Sequence, residues 1–100
     1  MQTATVTFKA KIETIYNADD TVAFTRIKMP ARLTKSHCDM HAFRSHPAFS
    51  GFANSDMFPA LLARELKKTG IGAYLRLDQP LPDAVAIDTS GFLAQVTITL

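Results

Sequence analysis

The sequence predicts an α+β protein in which helices pack on one face of an antiparallel sheet of four to five strands. Apolar and polar residues alternate with a period of two near both ends of the chain, which is typical of half-buried strands. The middle of the chain has the three- and four-residue spacing of an amphipathic helix. Residues 1–100 are expected to form a single domain, because separate cores usually need about 100 residues each.

The first strand is predicted over residues 3–13. Its apolar residues alternate with threonine and lysine and are expected to face the core; they are Val6, Phe8, Ala10 and Ile12. The polar run 17–20 has the composition of a turn, and a second extended run follows over 21–33. The two runs together predict a β-hairpin.

The pairing of these two runs is predicted from the pattern of burial. A four-residue loop puts Tyr16 opposite Thr21, and this register places Phe8 opposite Met29. Apolar residues then meet on one face, whereas a slip of one residue would bring charges onto that face. A bulge is expected near the turn, because Ile15 would otherwise lie on the basic side.

The middle of the chain holds two candidate helices, a short one over about 37–45 and the main one over about 56–69. Ser36 and Asp39 have the spacing of a capping box at the start of the short helix. The apolar stripe of the main helix consists of Phe58, Leu61, Leu62 and Leu66. Gly70 is a natural residue to follow the last turn of that helix.

Three further extended segments are predicted, over 73–77, 84–88 and 92–100. Prolines separate the first two, since a proline cannot donate a hydrogen bond to a sheet ladder. The last segment alternates up to Leu100, so it is expected to pair in the sheet and to be a candidate edge for the addition of another strand.

Composition excludes several classes of protein. A single cysteine, Cys38, excludes an internal disulfide, and no apolar run approaches the roughly 20 residues of a membrane span. The amino terminus alternates like a strand and has no signal-peptide pattern, so a cytoplasmic location is expected. The net charge of +2 is too small to indicate nucleic-acid binding by itself.

Five basic residues fall on one predicted face of the first hairpin: Lys9, Lys11, Arg26, Lys28 and Arg32. The predicted register sets Lys9 opposite Lys28 and Lys11 opposite Arg26, and like charges in such positions destabilise a sheet. An anionic partner would turn this repulsion into attraction, and phosphate is the commonest such partner. The alternative is a solvated face whose cations prevent edge-to-edge pairing.

The middle segment extends this predicted surface with Lys35, Phe43 and Arg44. Aromatic and basic residues interleave there, and single-stranded nucleic-acid sites combine such side chains to stack bases and to hold the backbone. The alternative is that buried phenylalanines pin the crossing segment to the core.

Four residues with ligand or nucleophile chemistry lie close together: His37, Cys38, His41 and His46. His37 and His41 are four residues apart and would share a helix face. A closed zinc site usually needs a second pair of ligands, which the sequence lacks, so no metal and no cofactor are predicted. Neighbouring helical residues point about 100° apart, so His37 is a poor base for Cys38, and no enzyme activity is predicted.

The sequence therefore favours a small non-enzymatic protein whose basic hairpin face engages nucleic-acid phosphate, with single strands preferred over duplex readout. The alternative is a protein-interaction module, meaning a homodimer, an adaptor or an inhibitor of a larger complex. That module would use a sheet edge or the phenylalanine-rich middle segment.

Overall fold

A computed structural model describes residues 3–100 of the chain. The elements, in chain order, are β1 (Thr5–Tyr16), β2 (Val22–Lys28), α1 (Met40–Ser45), α2 (Phe58–Lys68), β3 (Tyr74–Arg76), β4 (Val85–Ser90) and β5 (Leu93–Thr99). A 3-10 turn at Lys35–His37 precedes α1. The predicted α+β fold is confirmed, with a five-stranded antiparallel sheet, one main helix and one short helix.

The long strand β1 is the centre of a sheet with the order β3-β2-β1-β5-β4. Residues 5–11 of β1 pair with β5, whereas residues 12–16 pair with β2. The two halves of the sheet are therefore staggered along β1, and the molecule is elongated, with extents of 53 × 23 × 21 Å.

The last strand, β5, is internal, so the prediction that it forms an edge is wrong. A tight turn at Gly91 and Phe92 connects β4 to β5, and β4 pairs with the edge of β5 that is turned away from β1. Gly91 has φ of +61°, a conformation that the first position of such hairpin turns requires and that glycine adopts without strain. The edges of the sheet are β3 and β4.

The pairing of β1 with β2 differs from the predicted register by two residues. Ile27 lies opposite Ile12, whereas the predicted partner was Ala10. The predicted pair of Phe8 with Met29 is also wrong, because Phe8 pairs with β5.

The loop and a bulge together account for this difference. Tyr16 lies opposite Val22 rather than Thr21, so the loop contributes a shift of one residue. The register shifts again between Ile15 and Tyr16, because Ile15 lies opposite Phe24, and this confirms the expected bulge. Two shifts of one residue leave every side chain on its predicted face, since the side-chain period of a strand is two.

Strand β2 ends at Lys28, earlier than predicted. The Met29 N–H still donates a hydrogen bond to the carbonyl oxygen of Ala73, the residue before β3. Pro30 has no N–H with which to continue the ladder. The chain then leaves the sheet, and further along it Cys38 forms an isolated bridge with Val6 on β1. The residues that follow Met29 therefore do not belong to the hairpin.

Both helices begin differently from the predicted starts. The predicted capping box at Ser36 and Asp39 is wrong, because Ser36 lies inside the 3-10 turn, where the Thr34 N–H donates to Nδ1 of His37 at 3.1 Å. At the start of α2, Oγ of Ser55 accepts the Met57 N–H at 3.1 Å, while Met57 itself is the N-cap residue and its side chain makes no capping hydrogen bond.

A single apolar core lies between the inner face of the sheet and the helices. The sheet contributes buried valine, isoleucine and alanine side chains, including Val6, Ile27, Ala94, Val96 and Ile98. The helical side contributes four fully buried residues, Phe43, Phe49, Phe58 and Leu62. The predicted apolar stripe of the main helix is confirmed, since Leu61 and Leu66 pack against the same core.

Candidate functional site

The face of the sheet turned away from the helices is called the outer face. Alternation along the strands places the following residues on it: Thr5, Thr7, Lys9, Lys11, Glu13 and Ile15 of β1, Phe24, Arg26 and Lys28 of β2, Tyr74 and Arg76 of β3, Ala86, Asp88 and Ser90 of β4, and Leu93, Gln95, Thr97 and Thr99 of β5. Four of the five cations predicted to share this face do so; the exception is Arg32. Their partners across the strands are different from the predicted ones.

Three outer-face lysines are exposed. Lys9 lies opposite Gln95, Lys11 opposite Leu93 and Lys28 opposite Tyr74. Within residues 3–100, none of the three lysines forms an ion pair within 4.0 Å. The predicted pair of Lys9 with Lys28 is wrong, because the residues of β1 that pair with β2 are 12–16, in a register shifted by two residues from the predicted one.

Arg26 is compensated within the protein. Glu13 lies directly opposite it on β1, and Nε of Arg26 donates to the Glu13 carboxylate at 3.2 Å. The predicted pair of Arg26 with Lys11 is therefore wrong. On its other side Arg26 stacks on the ring of Tyr74, with 3.9 Å between the guanidinium carbon and the ring centroid.

Arg76 lies directly opposite Arg26, so the two positive charges would repel each other. Arg76 is compensated in the same way as Arg26, by a carboxylate and an aromatic ring. The Arg76 guanidinium donates two hydrogen bonds to Asp78, at 2.9 and 2.6 Å, and stacks 3.9 Å from the ring centroid of Phe24. These hydrogen bonds lower the pKa of Asp78 and raise the pKa of Arg76. Each arginine thus has its own carboxylate and its own aromatic ring.

Changing Glu13 to Gln is expected to reduce the free energy of unfolding by about 0.5 kcal/mol. The amide keeps the shape of the side chain but leaves Arg26 facing Arg76 without its counter-charge, and half-exposed pairs of this kind contribute up to about 1 kcal/mol. Urea unfolding followed by circular dichroism measures the loss. Asp83→Asn, at an exposed carboxylate with no ion pair in the described residues, is the control and should change nothing.

The remaining predicted contacts do not join the outer face. Arg32 lies in the segment after β2 and lines a groove beside α2, on the helical side of the sheet. Lys35 is exposed in the 3-10 turn and Arg44 is exposed on α1. Phe43 is fully buried, with ring centroids 4.8 Å from Phe49, so it cannot stack on a base, and the core interpretation of this residue is the right one.

His46 and Cys38 of the middle segment are hydrogen-bonded to the local backbone. Nδ1 of His46 accepts the Ala48 N–H at 3.1 Å, and Sγ of Cys38 lies 3.3 Å from the Thr34 carbonyl oxygen. Burial raises the pKa of the Cys38 thiol to about 11, so it is protonated at neutral pH, which disfavours a role as nucleophile. No group of three or more potential metal ligands occurs within residues 3–100.

Sequence reasoning missed Tyr74 and Phe24 as members of the outer face. Their positions depend on β3 pairing with β2, and no local pattern in the sequence indicates that pairing. The cleft that they line together with Arg26 and Arg76 has a volume of about 490 Å³.

The fold and the outer face define a small antiparallel α+β protein with an exposed cationic surface. Comparisons of the chain with protein-family models, with curated proteins and with solved structures found no match. In the part of the chain that the structure describes, no helix has the length and apolar character needed to cross a bilayer.

Proposed function

We propose that this protein binds nucleic-acid phosphate through Lys9, Lys11 and Lys28. The observation that supports the proposal is that three exposed cations share one face of a rigid sheet, where no carboxylate of residues 3–100 pairs with them. Contacts of this kind position a phosphate backbone and carry little sequence information, so weakly selective binding is expected.

Hydroxyl groups extend this surface along the sheet. Thr5 lies opposite Thr99 and Thr7 opposite Thr97, which forms a block of four threonines beyond Lys9. Hydroxyl groups donate hydrogen bonds to phosphate oxygens, so a backbone crossing the lysines has further contacts in this direction.

The charge distribution favours the end of the surface nearest β2. Asp88 lies in the same row as Lys9, with Gln95 between them, at about 10 Å across two strand spacings. This carboxylate lowers the positive potential around Lys9. Lys11 and Lys28 have no carboxylate in their rows, and Glu13, two residues from Lys11 on the same face, is already paired with Arg26, so these two lysines are expected to contribute most.

Changing Lys9, Lys11 and Lys28 together to Gln is expected to abolish binding at moderate ionic strength. Each lost phosphate contact lowers the dependence of log affinity on log salt by about 0.7 for single strands, so the slope should fall by about 2. Fluorescence anisotropy of a labelled oligonucleotide, titrated at several salt concentrations, measures both quantities. Melting should be unchanged, since these side chains are exposed.

The matched control removes the same charge from another surface. Arg64, Lys67 and Lys68 are exposed on α2, on the helical side of the sheet, and changing all three to Gln should leave most of the affinity intact. Equal losses in the two triple variants would show that only net charge matters, and the proposal would then be wrong.

The second candidate function is protein–protein interaction, which the open edge of β4 favours. Among the strands of residues 3–100, β4 pairs with β5 alone, so one side of its six residues is open to another strand. If the wild-type protein binds no nucleic acid at low ionic strength, a partner chain or a second copy at this edge becomes the favoured function.

A further inference from the structure

We infer that the lysine surface takes single-stranded nucleic acid and that Tyr74 is the side chain on which an unpaired base stacks. The inference rests on the proposed function, because the lysines must first hold the backbone. It adds the class of nucleic acid and the residue that binds an exposed base by stacking.

Tyr74 is placed where a base would meet it. It lies directly opposite Lys28 on the outer face and is 41% exposed. A cation and an accessible aromatic ring are therefore neighbours on adjacent strands. Sites for single strands combine these two groups, with the cation on the phosphate and the ring under the base.

The ring of Tyr74 is also held in position before any ligand binds. The Arg26 guanidinium stacks on it at 3.9 Å, and Glu13 holds Arg26 through a hydrogen bond of 3.2 Å. A ring that is already ordered loses less conformational entropy when a base stacks on it, which favours binding.

The surroundings of the ring have room for a flat base. Tyr74 lines the cleft of about 490 Å³ at the β3 edge, together with Arg26, Arg76, Pro80 and Pro82. This volume falls within the range of about 300–1,000 Å³ that is typical of small-molecule pockets. A base within a duplex is stacked on both faces and paired, so it cannot enter the cleft without being flipped out, which costs a few kcal/mol.

Intrinsic tyrosine fluorescence provides a direct test. The chain has two tyrosines and no tryptophan, so a Tyr16→Phe variant carries Tyr74 as its only fluorophore of this kind. The probes are a thymidine oligonucleotide of about twelve nucleotides, an abasic phosphodiester chain of equal length, and a duplex of the same length. Quenching is expected with the thymidine oligonucleotide and not with the abasic chain or the duplex.

Affinity measurements on variants of Tyr74 complete the test. Tyr74→Leu should lose about tenfold in affinity for the thymidine oligonucleotide and should keep the affinity of wild type for the abasic chain. Tyr74→Phe keeps the aromatic ring and should bind the oligonucleotide like wild type. Circular dichroism melting shows whether each variant is folded, and the Phe variant shows whether the ring alone, without the hydroxyl group, is enough for binding.

The possible failures can be told apart. Equal affinity for the thymidine oligonucleotide and the abasic chain, with no quenching, would overturn the inference on Tyr74 while phosphate binding stands. Absence of binding to all three probes at low ionic strength would overturn the inference and the proposed function together.

Discussion

Replacing Phe43 with alanine is expected to destabilise the protein by about 3–5 kcal/mol. The side chain is fully buried, and its ring packs edge-on against Phe49 and Phe58 with centroids 4.8 and 5.5 Å away. The loss combines the apolar surface removed with the cavity left behind. Because a domain of this size is stable by about 5–15 kcal/mol, this loss is a large share of the total stability and should lower the urea unfolding midpoint strongly.

Phe92→Ala is the matched control for this experiment. It removes the same atoms from a turn residue that is 87% exposed, so the change in stability should stay within about 0.5 kcal/mol. Urea unfolding followed by circular dichroism at 222 nm measures both variants. Similar unfolding midpoints for the two variants would contradict the burial of Phe43. They would also contradict the conclusion that Phe43 cannot stack on a base.

Replacing Val96 with aspartate is expected to prevent folding at neutral pH. Val96 is fully buried in β5, between Phe8 on β1 and Ile87 on β4. An unpaired carboxylate there costs several kcal/mol, which approaches the whole stability of the domain. Circular dichroism and size-exclusion chromatography should show loss of the folded species.

The neighbouring change, Thr97→Asp, should be tolerated. Thr97 lies on the outer face, opposite Thr7 and Ala86, where water solvates a carboxylate. The variant should melt within a few degrees of wild type and should bind phosphate more weakly, because the new charge lies in the row next to Lys9. If both aspartate variants unfold, the assignment of the two faces of β5 is wrong.

Local pattern predicted much of the interior of this protein, although it placed Phe43, which lies in the core, in the predicted binding surface. Alternation in the first strand placed Val6 and Phe8 in the core, and the spacing of Phe58 and Leu62 placed them on the buried face of the main helix, as the structure confirms. The same kind of pattern placed Lys9 and Lys11 outside. These assignments depend only on residues adjacent in sequence, because the geometry of one strand or one helix determines which side chains share a face.

Partners on neighbouring strands could not be predicted in the same way. The residue opposite Arg26 is Glu13, whereas the predicted register set Lys11 there. The difference arises because a longer loop and a bulge each shift the register by one residue. Tyr74 reaches the outer face only because β3 pairs with β2, although 45 residues separate the end of β2 from the start of β3.

The amino-acid sequence by itself determined the fold class, the core and the face to which each strand residue belongs. The tertiary structure alone decided which outer-face residues are neighbours, and therefore which cations are compensated and which are free. The physical reason is the two-residue period of a strand. Inside and outside are unchanged by a two-residue shift in register, whereas every pair across the strands is replaced.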